Sequence, residues 1–308
     1  MTGYYGLPLL KGPVWTWEVP AYFFVGGTAG AAALIAEVAS HTSDGASLAR
    51  DARWIAGVGA ALSPPLLIAD LGRPERFLNM LRVFKIQSPM SVGAWTLVAF
   101  SNAAAAALFA QLAEGRVGNR LSIRIVRQAA GASAAALGLG MATYTGVLLG
   151  VTAMPVWARN ARLLPFMFGF SGLGSAVSIL ELRGNRHRAL NTLGLIAATV
   201  ETATEARIAF TPHRANEPLE RGESGWLVRS GAVLSGPVAL ALRLLARRSP
   251  ALSRAAALST IAGSLLTRYG WIAAGRASAA DPREPLSLAA PGGAESLISY
   301  PSSTIPDR

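Results

Sequence analysis

The sequence predicts an all-α, polytopic integral membrane protein with about eight transmembrane helices. Three observations predict it. Of the 308 residues, 52% are apolar and only 15% are charged, against about 25% charged in an ordinary soluble domain. Mean hydropathy is +0.38. Eight stretches also approach the roughly 20 apolar residues that cross a hydrocarbon core. A soluble chain of this length would bury one or two cores and still need a charged surface, which so few charges cannot make.

The stretches run over 19–39, 54–70, 92–113, 129–151, 164–182, 189–209, 227–247 and 254–274. The third and fourth hold no charged residue. The second is short and carries Pro64-Pro65. Proline inside a span frees backbone carbonyls and kinks the helix, so protein or water must satisfy them. The seventh starts raggedly near Arg229. Gly26 and Gly30 in the first span, and Gly146 and Gly150 in the fourth, form small-xxx-small pairs that let backbones approach closely. The opening MTGYYGLPLLKGPVWTWEVP has no basic region before a short apolar core and is not read as a cleavable signal.

Between the second and third spans, residues 70–91 mix charges with large apolar side chains, which predicts a segment folded onto the membrane surface. Residues 210–226 read as a polar surface loop, and the Ala-, Ser- and Pro-rich stretch beyond about 276 as an extended tail. Arginine is densest in the short loops after the third, fifth and seventh spans. The positive-inside rule then puts those loops in the cytoplasm and both termini outside. Formal net charge is +11. On a soluble domain that would suggest nucleic-acid binding, but here the arginines flank apolar blocks. A lipid bilayer is the partner they suit, and no nucleic acid is expected.

Cysteine is absent, which excludes disulfides, thiolate-bound clusters or zinc, and a cysteine nucleophile. The three histidines, His41, His187 and His213, all fall in or beside loops. None is placed to hold a haem between facing helices. The chain alone therefore cannot carry electrons far. If it takes part in redox chemistry, the active molecule is a diffusible organic one and any clusters sit on another chain.

Four phrases then carry a resemblance: Lys11-Gly12-Pro13-Val14-Trp15-Thr16-Trp17-Glu18-Val19-Pro20 running into Tyr22-Phe23-Phe24-Val25-Gly26-Gly27; DLGRPERFLNMLRVFKIQSPMSVGAW from Asp70; Tyr144-Thr145-Gly146-Val147-Leu148-Leu149-Gly150; and Leu164-Pro165-Phe166 leading to Ser171-Gly172-Leu173. Together they resemble the NrfD/PsrC family of integral membrane subunits, which includes the membrane subunit of polysulfide reductase. The resemblance implies two four-helix bundles, here 1–151 and 152–275, followed by the tail 276–308. It implies a quinone or menaquinone site in the first bundle, with quinone as an exchangeable substrate and no bound haem, metal or iron–sulfur cluster in this chain. It further implies a four-cluster ferredoxin-like partner, a catalytic subunit that is often a molybdenum enzyme, and residence in a bacterial inner membrane.

Quinone chemistry moves two protons with two electrons. It needs hydrogen-bond groups at the carbonyls, an acid/base path and an apolar slot. Glu18 and Tyr22 open the first span, Asp70 and Arg73 close the second, and Tyr144 lies about 10 Å from the end of the fourth at 1.5 Å per residue. These groups share one side of the membrane. Tyr144, Asp70 and Glu18 are the expected catalytic residues, with Tyr22, Trp17 and Arg73 completing the quinone site. Each has a plainer reading as well. Trp15, Trp17 and Tyr22 suit an interfacial aromatic belt. Glu18 suits a helix N-terminus. Asp70 could pair with Arg73 or Arg76. The cations Arg73, Arg76, Arg82 and Lys85 make residues 70–91 a docking surface for an acidic partner, in the expected reading.

Charged groups inside a membrane are costly and are functional hypotheses by default. Glu201 and Glu205 are four residues apart and share one helix face. With Arg268 as an expected pairing partner they form a candidate proton path. The reading is therefore a membrane anchor subunit exchanging electrons between the quinone pool and an iron–sulfur partner, and not a catalyst alone. Its rivals are a non-redox scaffold and a proton-translocating subunit.

Overall fold

The computed structural model describes residues 10–73, 75–118, 120–211, 213–246 and 249–280. Among these every regular element is helical. The helices are α1 (Glu18–Ser40), α2 (Ala46–Asp70), α3 (Glu75–Met80), α4 (Pro89–Val117), α5 (Leu121–Gly150), α6 (Pro155–Arg159), α7 (Leu164–Leu182), α8 (Arg188–Ala209), α9 (Glu217–Glu220), α10 (Gly222–Val233), α11 (Ala239–Leu245) and α12 (Pro250–Ala280). A π turn over Leu234–Val238 joins α10 to α11.

Each expected span overlaps a long helix or the α10–α11 run, although α2 and α5 each begin eight residues before the expected start. Six of these are long and apolar enough to cross a membrane: α1, α2, α4, α5, α7 and Gly222–Leu245. The protein is a multi-pass membrane protein. At 1.5 Å per residue α8 and α12 are also long enough, about 33 and 46 Å. They are less apolar, because α8 carries Glu201, Glu205 and Arg207, and α12 carries Arg254, Arg268 and Arg276. The expected surface segment after α2 contains the short helix α3. Helix α12 continues to Ala280, past the expected boundary at 275, and the tail 281–308 lies outside the described residues.

Helix α1 is the hub. It packs on α2, α5, α7 and α12. Its small residues allow this: a Cβ at Gly30 would sit 2.3 Å from the Gly138 carbonyl oxygen, so α1 and α5 meet backbone to backbone. The prolines of α2 are accommodated as a membrane requires. Pro64 cannot donate to the Ala60 carbonyl, and the Ser101 hydroxyl of α4 donates to it instead at 3.1 Å. The π turn is served similarly, with the Ser259 hydroxyl donating to the Leu234 carbonyl at 2.7 Å. Helix α4 starts on a Ser88 cap, whose hydroxyl accepts from the Ser91 N–H, followed by Pro89 at the first position.

Candidate functional site

The segment before α1 is pinned to the helix ends. Trp15 stacks on Trp157 with centroids 5.5 Å apart. The Trp157 indole N–H donates to the Trp271 carbonyl at 2.8 Å. The Tyr269 hydroxyl donates to the Trp17 carbonyl at 3.0 Å. These contacts fix Thr16, which then ties α1 to α2. Its N–H donates to the Asp70 carboxylate at 2.9 Å, its hydroxyl lies 3.1 Å from the same oxygen, and the hydroxyl also bonds to the Glu18 carboxylate. Gly72, with φ of +64°, turns the chain out of α2 directly after Asp70.

One layer deeper, Tyr22 is buried with its ring on Phe23 at 5.7 Å. It lies near Tyr144. The Tyr144 ring covers Gly93, where a Cβ would meet it at 2.3 Å, and its hydroxyl donates to the Pro89 carbonyl. Its lone pairs remain to accept. The ends of α1, α2, α4 and α5 thus bring together two carboxylates, a threonine and two phenols.

The structure unites Glu18 with Asp70, and Tyr22 with Tyr144. Asp70 engages Thr16, and among the described residues it makes no ion pair with Arg73. The Trp17 side chain is 62% exposed and Arg73 is exposed. Arg82 and Lys85 are exposed, as are Leu78, Phe84 and Ile86 in the same segment. The side chain of Arg76 lies outside the described residues.

A second polar cluster lies among α7, α8, α10 and α12. Arg268 is fully buried. Its Nη1 donates to Ser171 Oγ and to the Ser264 carbonyl, both at 2.9 Å, and also to Ser264 Oγ. Its guanidinium lies 5.3 Å from the Phe168 ring centroid and 5.7 Å from that of Phe24. No direct ion pair joins Arg268 to Glu201 or Glu205, although Glu201 lies close enough for its charge to act on the guanidinium. Arg268 Nη2 donates to the Phe168 carbonyl at 3.4 Å, and its Nε has no partner among the described residues. Glu201 is 2% exposed and lies near Ser171 and Ser235, with no hydrogen bond of good geometry from either to its carboxylate oxygens. Glu205, one turn on, lines a largely apolar cavity of about 490 Å³ together with Met167, Val228 and Trp271.

Two further arginines, Arg53 and Arg243, are buried inside the helix bundle. Arg53 is buried and donates to Gln111 Oε1 at 3.2 Å. Arg243 is buried, donating to Glu181 Oε1 at 2.8 Å and to Ser178 Oγ at 3.0 Å. At the end of an apolar run an arginine looks like a membrane flank. The signal for burial was Gly194, whose missing side chain makes room for the guanidinium: a Cβ there would lie 2.3 Å from Arg243 Cζ. Thr16 was also missed, hidden between two tryptophans that read as belt aromatics. Among the described residues no group of three or more histidines and carboxylates is placed to hold a metal ion.

The family described as polysulphide reductase, NrfD, matches residues 9–189. The chain belongs to the NrfD family. The match covers α1 to α7 and ends in the first turn of α8, so it contains the Thr16–Asp70 and Tyr22–Tyr144 groups and excludes Glu201, Glu205 and Arg268. No curated protein is significantly similar to the chain. As an NrfD-family member it is a membrane subunit of a polysulfide-reductase-like oxidoreductase complex.

Proposed function

We propose that this NrfD-family subunit exchanges electrons between the membrane quinone pool and an iron–sulfur partner that serves a separate catalytic subunit. The carrying observation is the convergence of Glu18, Asp70, Tyr22 and Tyr144 at one end of α1, α2, α4 and α5, tied by Thr16. In this reading a quinol hydroxyl donates to the free lone pairs of Tyr144, and its proton leaves through Asp70 or Glu18 at the water boundary. The reverse direction uses the same groups. Tyr22, with Trp17 and Arg73 nearer the surface, completes the site, and menaquinone or a related quinone is the substrate. Arg73, Arg76, Arg82 and Lys85 carry the docking surface for the ferredoxin-like subunit. A molybdenum enzyme is the class of catalytic partner that suits such an assembly, and a bacterial inner membrane with both termini extracytoplasmic is the matching location.

A proton-translocating role is a second reading, favoured by Glu201, whose buried carboxylate has no hydrogen-bond partner. Under it Glu201→Gln and Glu205→Gln abolish the pH change while sparing electron flow. Purification from native membranes in mild detergent, with mass spectrometry of what co-purifies, tests the principal reading. It expects an iron–sulfur protein and a large catalytic subunit. The chain isolated alone, even after cross-linking in the membrane, would count against it.

A further inference from the structure

Helices α7, α8, α11 and α12 end around a cavity unrelated to the sites above. Its volume is about 280 Å³. Gly184, with φ of +95°, reverses the chain after α7 so that residues 184–188 form part of the wall. Three arginines line it: Arg186, Arg188 and Arg254. Among the described residues none of the three makes an ion pair. The one carboxylate on the wall, Glu181, is engaged by Arg243 at 2.8 Å. Asn191 and Ser253 add neutral hydrogen-bonding groups.

The backbone adds to this field. Two long helices begin on the wall, α8 at Arg188 and α12 at Pro250, and neither has an acid in its first turn. The N-terminus of α8 has no side-chain cap. The positive ends of two helix dipoles therefore reinforce the arginines, set against the negative end of the short helix α11. The C-terminus of α7 also reaches the cavity, but its carbonyls are used: Gly184 N–H donates to Glu181 O at 3.0 Å and Asn185 N–H to Leu180 O at 3.1 Å. The result is a concave, electropositive site with planar, forked donors that match phosphate oxygens.

We propose that this cavity binds a phosphate group, carried by an anionic phospholipid. The location selects the lipid, because the cavity lies where a membrane-crossing helix ends and headgroups lie at that depth. The site is independent of the quinone reading.

The test is native mass spectrometry of the full chain in mild detergent, with phosphatidylglycerol, phosphatidylcholine or inorganic phosphate added at matched concentrations. Phosphatidylglycerol should be retained at least about tenfold over phosphatidylcholine, equal to about 1.4 kcal/mol. The triple variant R186Q/R188Q/R254Q should lose this preference. The charge-matched control R116Q/R120Q/R124Q should keep it. Ser253→Trp, which fills the cavity without changing charge, should also lose it, so the test stands if the triple variant does not fold. Retention of inorganic phosphate in place of the lipid upholds the phosphate site and assigns it to a free anion. Equal retention of both lipids, or equal loss in the triple variant and its control, overturns the proposal.

Discussion

Helices α1–α5 and helices α7–α12 keep their polar groups in different places. In the first region the middle of the bundle is alanine and glycine, packed until backbones touch at Gly30 and Gly138. The chemistry sits at the ends: Thr16, Glu18 and Asp70 at one, Arg53 with Gln111 at the other. In the second region polar groups run through the interior, with Arg268 among Ser171, Ser264 and Phe168, Glu201 unpartnered, and Arg243 between Glu181 and Ser178. A mostly apolar interior with polar ends suits a reaction at the membrane boundary. A polar interior suits binding or proton movement within the membrane. The family match stops where the second region's polar helix begins.

The comparison sharpens into a series of stability measurements by chemical unfolding in detergent. The largest effect belongs to the second region. Arg243→Met leaves Glu181 buried without its cation and should destabilise by about 3 kcal/mol. Adding Glu181→Gln should recover most of that loss; if it does not, the pair is not what holds these helices together. Next comes Gly30→Ala, whose new Cβ collides with the Gly138 backbone. It should cost about 1–3 kcal/mol, whereas Gly115→Ala, with open space around it, should be neutral or stabilising. A smaller effect is expected of Ser264→Ala, which removes one acceptor of Arg268 and should cost about 1–2 kcal/mol.

The smallest effect is pH-linked. His213 Nδ1 accepts from the Ala215 N–H at 3.1 Å, which requires the neutral ring. Burial, and then the positive charge of Arg159, hold its pKa below the usual histidine value. The unfolded chain therefore binds the proton more readily. This contribution is complete above the unfolded pKa of about 6.5 and is lost as pH falls through the folded one. His213→Asn, whose side-chain oxygen can still accept from Ala215, should flatten that slope between pH 5 and 7; an unchanged slope would place its origin elsewhere.

The helices were legible because a span is a matter of length and apolar content, and both are visible in the sequence. The grouping of Glu18, Tyr22, Asp70 and Tyr144 at one end followed from their distance to span ends. What could not be read was lateral contact. Thr16 became a tether only because Trp15 stacks on Trp157, a partner 142 residues away in the chain. Arg268 was expected beside a glutamate by charge alone, yet serines on α7 and its own helix reach it first. Arg53 and Arg243 lie near the ends of apolar runs, where an arginine resembles a membrane flank, and the space that receives them is made by other helices.

The most direct test of the central claim is quinol-linked turnover in the purified native complex, comparing the wild type with Tyr144→Phe and Asp70→Asn. Each variant should lower turnover about tenfold or more while the partner subunits stay bound. Asp70→Asn should do so with little loss of stability, since its amide oxygen can still accept from Thr16. Wild-type turnover in both variants would contradict the account.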